Sequence, residues 1–120
     1  MAEKCIWCIR DDGGLFRRAG TYWISSAYSI LEAEALVLLE AMKDASNMNL
    51  ENIIFETDSS TIVAALHANH VGVSAFSILI SNIKRLLLLN SNFEQNSVFT
   101  SSKVLQARDS VLEITWVSLC

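Results

Sequence analysis

From Ile30 to Ala45 the apolar residues recur at helical spacing. Ile30, Leu31, Ala35, Val37, Leu38, Leu39, Ala41, Met42 and Ala45 fall on one broad arc, and Glu32, Glu40, Lys43 and Asp44 fall opposite. Ser29 stands three residues before Glu32, the spacing of a capping box, so a helix is predicted from Ile30 to about Ala45. After the polar connection Ser46 to Glu51, the pattern changes to the alternation of a strand over Asn52 to Asp58. Ile53, Phe55 and Thr57 lie on one side of it, and Ile54, Glu56 and Asp58 on the other. Ser59, Ser60 and Thr61 then open a second helix, Ile62 to about Ala68. Ser74 is placed to cap a third, Ala75 to Leu89, whose buried stripe is Phe76, Leu79, Ile80, Ile83, Leu86 and Leu87.

The flanks read as strands. Cys5 to Arg10 is rich in β-formers, Asp11-Asp12-Gly13-Gly14 follows as a turn, and Leu15 to Ile24 makes the return strand of a β-hairpin. Asp11 and Asp12 are explained by the turn more simply than as metal ligands. Beyond Asn90 the pattern weakens: a strand is expected at Phe93 to Thr100, a short helix at Lys103 to Glu113, and a strand at Leu112 to Leu119. There is no internal repeat and no proline to mark a linker.

With 120 residues and 52% hydrophobic content the chain is expected to form one domain around one core. A net charge of −4 lacks the basic footprint of a protein held to nucleic acid by phosphate contacts alone. Cys5, Cys8 and Cys120 give an odd count without a second ligand pair for zinc, so they are expected to be buried or idle thiols of an intracellular protein. No long apolar run follows a basic start, so no signal peptide is expected. Phe76 to Leu89, interrupted by polar and basic residues, reads as a core helix rather than a membrane span. Cytoplasm and nucleus are not distinguished.

Two acids stand where acids are costly. Glu34 is the one charge inside the apolar arc of the first helix, and a carboxylate there needs a partner, a proton or a metal, unless it snorkels outward near the helix start. Asp58 closes a strand and precedes a helix, the usual place for chemistry in an open α/β sheet. It equally suits the N-cap of that helix. His67 and His70 have ligand spacing but read more simply as a solvated helix end, and Lys84-Arg85 as a solvated face rather than a phosphate contact.

The order of hairpin, helix bearing Ala33-Glu34, loop, strand ending in ETDS, helix and long helix resembles the ribonuclease H type 1 domain. More narrowly it is similar to the plant retrotransposon-related branch. The stretches CIRDDGG, LEAEALVLLEAM and NIIFETDSSTIVAAL carry the resemblance, which covers roughly residues 5–93 and leaves 94–120 as a divergent tail of the single domain 1–120. The resemblance implies a ribonuclease H-like mixed sheet with an N-terminal β-hairpin, flanked by helices. It also implies cleavage of an RNA–DNA hybrid by Mg²⁺ (or Mn²⁺) ions held among four acidic positions. Glu34 matches the family's helix glutamate and Asp58 the aspartate closing its strand, as catalytic residues and metal ligands.

The sequence departs from that pattern at both ends. The family's first strand, which carries its first aspartate and lies in the middle of the sheet, has no counterpart ahead of the hairpin. The closing R-x-x-N-x-x-A-D signature is replaced by FTSSKVLQARDSVLE, where Asp109 and Glu113 are weak candidates for the last acid. This tail reads like a replaced or frame-altered end. The expected function is therefore nucleic-acid binding, to an RNA–DNA hybrid by resemblance, with weak or no cleavage. The alternative is a non-catalytic protein-interaction module on the same fold. Loss of a central strand exposes two edges, so the chain is expected either to recruit Leu112 to Leu119 as a substitute or to self-associate.

Overall fold

The computed structural model describes residues 2–10, 15–25, 27–48, 53–68, 72–90, 93–100 and 115–119. The elements are β1 (Ala2–Arg10), β2 (Phe16–Ser25), α1 (Ile30–Asn47), β3 (Ile53–Thr57), α2 (Ser60–His67), α3 (Ala75–Leu89), β4 (Phe93–Thr100) and β5 (Thr115–Leu119). The five strands form one mixed sheet in the order β2-β1-β5-β3-β4. This is the mixed α/β architecture of a ribonuclease H-like fold. The turn expected at residues 11–14 and the helix expected at 103–113 lie outside the described residues, as do His70, Asp109 and Glu113.

Local signals fix the helix starts. Ser29 Oγ accepts from Glu32 N at 3.1 Å while Glu32 Oε1 accepts from Ser29 N at 3.1 Å, so the reciprocal box satisfies two otherwise orphaned donors of α1. Ser59 and Ser74 cap α2 and α3 with a single bond each, their side chains accepting from Ile62 N and Ser77 N. The ends of α1 and α3 are tied together by Ser46 Oγ, which donates to Asn90 Oδ1 at 2.7 Å, and Asn90 Nδ2 in turn donates to Leu86 O.

One face of the sheet carries the core. Trp7 and Ile9 of β1, Ile53 and Phe55 of β3, and Phe93 and Val98 of β4 pack with Val37, Leu38, Leu39 and Met42 of α1, Ile62 of α2, and Ile80 and Ile83 of α3. Phe55 meets Phe93 edge to face with ring centroids 4.9 Å apart, an arrangement that adds about 1 kcal/mol to the burial itself. Ile54, next to Phe55 and so on the opposite face, is also buried but lies outside that cluster. The predicted stripe of α3 is correct in direction, though only Ile80 and Ile83 are fully buried, with Phe76, Leu79, Leu86 and Leu87 partly covered at its flanks. No helix among the described residues is long and apolar enough to cross a membrane.

The Trp7 ring lies over Gly20 of the neighbouring strand β2. Gly20 lies opposite it in the β1–β2 ladder, and a Cβ there would come within 2.2 Å of the Trp7 ring. Glycine is needed at this point for space.

The middle of the sheet is filled from the far end of the chain. β5 pairs antiparallel with β1, Trp7 opposite Leu119 through Arg10 opposite Trp116. It pairs parallel with β3, Ile53 opposite Thr115 through Glu56 opposite Ser118. The expected recruitment of the tail into the sheet is therefore seen, over Thr115–Leu119. β5 thus takes the middle of the sheet, the place the resemblance assigned to the family's first strand.

Two stability experiments test these points. Gly20→Ala is expected to cost about 2 kcal/mol, because the methyl group overpacks Trp7 by more than the loss of unfolded-state freedom returns, and urea unfolding measures it. Val117→Pro removes an N–H from the strand flanked on both sides and is expected to cost about 3 kcal/mol or more, erasing cooperative melting. A Val117→Pro chain that melts like the parent shows that β5 does not hold the sheet together.

Candidate functional site

The strand directions locate both singled-out acids. Because β5 is antiparallel to β1, β1 antiparallel to β2, and β3 parallel to both β5 and β4, the strands β2, β5, β3 and β4 all end on the same side of the sheet. Asp58 immediately follows the end of β3. α1 starts soon after β2 ends, so its first turns lie at that same end, with Glu34 in its second turn. The topology thus brings Glu34 and Asp58 to the carboxyl edge of the sheet, where open α/β folds place their ligands.

Their surroundings differ. Glu34 is half-buried between the buried residues Ala33 and Ala35, at the margin of the apolar face of α1. Asp58 is exposed. The N-cap explanation of Asp58 does not hold, since Ser59 is the residue whose side chain accepts from Ile62 N. Thr57 turns the chain at this point: its side chain is buried, and its Oγ1 accepts from Ser59 N at 3.2 Å, so Asp58 is carried on a hydrogen-bonded bend.

A divalent-metal site needs further oxygen ligands. The nearest carboxylate in sequence is Glu56, on the same side of β3 as Asp58, but its Oε1 accepts from Arg10 Nη2 in an ion pair. Arg10 lies on β1 and Glu56 on β3, so the pair spans β5, and both side chains are largely covered. Arg10 Nε is buried and lacks a hydrogen-bond partner, so the guanidinium depends on Glu56 for compensation. β5 itself, Thr-Trp-Val-Ser-Leu, contains no carboxylate. Among the described residues no group of three or more His, Cys, Asp or Glu is arranged to hold a metal ion. The described residues therefore do not by themselves make up the acid set of a two-metal nuclease.

Other candidates resolve into structure. Lys84 Nζ donates to Ala68 O at 2.6 Å, which satisfies a carbonyl at the end of α2 and takes Lys84 out of the basic pair; Arg85 remains exposed. His67 Nδ1 is 2.8 Å from Val63 O, so this nitrogen carries the proton and donates. Cys8 corrects the expectation of idle thiols, since it is disulfide-bonded. The Arg10–Glu56 pair was missed by the sequence reading, because its partners are 46 residues apart and meet only across a strand supplied by the tail.

A mixed sheet in this order, a capped helix bearing Glu34 and an interior strand followed directly by Asp58 define a protein of the ribonuclease H-like class. Residues 4–114 match the family described as Reverse transcriptase-like, and the chain belongs to that family. The matched span extends past the stretch that carried the resemblance, through β4, and stops just before β5. Comparison with curated proteins and with solved structures gives no match.

Because Arg10 is left partly buried without a counter-charge, Glu56→Ala is expected to destabilise the fold by about 1–3 kcal/mol in denaturant unfolding. The double change Arg10→Met with Glu56→Leu is expected to recover most of that loss. If the double variant is no more stable than Glu56→Ala, the pair is not what sets the cost.

Proposed function

We propose that this chain is a nucleic-acid-binding domain related to RNA–DNA hybrid ribonucleases, in which Glu34 and Asp58 are the retained part of an acidic site and cleavage is weak or lost. Membership of the Reverse transcriptase-like family supports the nucleic-acid part. The observation that carries the rest lies at one edge of the sheet: Glu34 and Asp58 share it, while β5 brings no carboxylate to it and Glu56 is engaged by Arg10. Two acids bind a divalent cation more weakly than a full set and leave one side of a scissile phosphate unserved. On this reading Mg²⁺ or Mn²⁺ meets the protein through Glu34 and Asp58, and the type 1 and plant retrotransposon-related assignments follow from the resemblance.

A second reading, a protein-interaction module on the same fold, is favoured by the outermost strand. β2 is an edge of the sheet, and Phe16 and Trp23 on it are exposed, as is Leu15 just before it. Exposed apolar side chains on a long edge strand invite another chain, which includes a second copy.

A labelled RNA–DNA hybrid titrated with Mg²⁺ or Mn²⁺ separates the readings. Hybrid binding by the parent is expected, with cleavage at least about 100-fold below that of an enzyme with a complete metal site. Any residual cleavage is expected to disappear in Glu34→Gln and in Asp58→Asn. Cleavage that survives both substitutions removes these two residues from the site. Absence of hybrid binding, together with elution as a dimer, favours the interaction module.

A further inference from the structure

We infer that β2 pairs with β2 of a second copy, antiparallel about a two-fold axis through Thr21, so that two sheets become one. The inference rests on the reading of β2 as an interaction edge and names its partner. It makes no use of Glu34 or Asp58.

Among the described strands β2 and β4 are the two edges of the sheet, and they are not equally protected. β4 contains Glu94, its ladder to β3 is irregular, and α2 and α3 lie against it. β2 is 10 residues long, with an unbroken ladder to β1 from Arg18 opposite Ile9 to Ser25 opposite Ala2. Its charged residues, Arg17 and Arg18, stand at the end where the register shifts, so Ala19 to Ser25 is an edge without charge or proline. Natural sheets guard their edges with charge, proline or shortness, and this stretch has none of them.

The order of residues along that stretch fits a second copy. Residues directly opposite in an antiparallel pair are of one hydrogen-bonding type, and the two types alternate along a strand. A strand paired with its own copy therefore has one residue facing itself at the axis. The stretch reads Ala19, Gly20, Thr21, Tyr22, Trp23, with small residues before Thr21 and large ones after it. With the axis at Thr21, Trp23 falls opposite Ala19 of the second copy and Tyr22 opposite its Gly20. Large then meets small on both sides of the axis, and Thr21 opposite Thr21 is a favourable cross-strand pair. Ala19, Thr21 and Trp23 share one face of β2 and all three are exposed, Trp23 by 65%. Arg17 falls opposite Ser25 and Arg18 opposite Ile24, which keeps the arginines of the two copies about 20 Å or more apart along the strands. The pairing sets no like charges against each other.

A two-fold pairing also closes, because it uses the same edge in both copies, whereas β2 on β4 of a second copy would continue into a fibre. One strand per copy with Trp23 as its anchor lies at the small end of the roughly 1,200–2,000 Å² of specific interfaces. A dissociation constant on the order of 10 µM is expected.

Analytical ultracentrifugation of the full chain tests this over about 1–100 µM, where the parent is expected to pass from monomer to dimer. Thr21→Lys and Thr21→Glu each set like charges opposite one another at the axis and are expected to weaken the dimer about 10-fold or more. A 1:1 mixture of the two variants is expected to dimerise again, because position 21 faces position 21. Trp23→Ser removes the anchor, is expected to weaken the dimer similarly, and decides the matter should a charged variant fail to fold. A parent that stays monomeric, or a dimer that persists unchanged in the variants, overturns the inference. So does a mixture that stays monomeric while each variant melts cooperatively, or a dimer that forms only when RNA–DNA hybrid is added. Failure here is distinct from failure of the acidic site, since the dimer is read by sedimentation without nucleic acid and hybrid binding by titration.

Discussion

The fold depends on a strand being present between β1 and β3. Each of these strands has its other edge already paired, β1 with β2 and β3 with β4, so a gap between them would split the sheet into two hairpin-sized pieces with facing open edges. Two-stranded pieces are marginal in water, and buried backbone groups without partners cost several kcal/mol in sum, roughly 1–3 kcal/mol apiece. β5 closes the gap because strand pairing is recognised by the backbone. What the position demands is extended conformation, one antiparallel and one parallel neighbour, and side chains that tolerate cover on both faces. The β-branched and aromatic content of Thr115–Leu119 meets that demand although the segment lies far along the chain from both of its neighbours.

The sheet and the proposed site make different demands on that middle strand. A strand can be replaced by any compatible strand without loss of the sheet, whereas a metal site requires particular oxygen atoms at particular points. β5 restores the ladder and brings no acid with it. Arg10 and Glu56 reach over it from either side, and that ion pair joins the two halves of the sheet as a side-chain counterpart to the backbone ladder. Glu56 is thereby given to structure. Glu34 and Asp58 keep their places because α1 and β3 are held by the core, through Met42, Phe55 and Ile53, independently of what stands in the middle.

What could be read from the sequence was what depends on nearby residues. The capping box at Ser29 and Glu32, the cap at Ser74, the alternation through Ile53, Phe55 and Thr57, and the bounds of β4 all rest on spacing within a few positions, and all were legible. The cap of α2 was ambiguous between two adjacent residues, Asp58 and Ser59, each chemically able to serve, and only backbone geometry separates them. The space requirement at Gly20 depends on the ring opposite it, the use of Lys84 on a carbonyl of another helix, and the Arg10–Glu56 pair on a strand between them. None of these has a local signature. The odd cysteine count argued for free thiols, and it failed because one bonded pair and one remaining cysteine also make an odd number.

Fold and chemistry therefore answer to different constraints in this chain. The core is overdetermined: the α1 arc, the two buried faces of β3 and the α3 stripe each contribute several side chains, and burying each large one is worth about 2 kcal/mol, so the middle strand is required mainly to supply a backbone that pairs on both edges. The acidic site has no such redundancy, since each carboxylate in it is a single point that the core does not need. Glu34 is half-buried between Ala33 and Ala35, and nothing in the packing of α1 calls for an acid there. Glu34 and Asp58 share the sheet edge where open α/β folds place their ligands, and that shared edge, which the core does not require of either residue, is what supports the proposed acidic site.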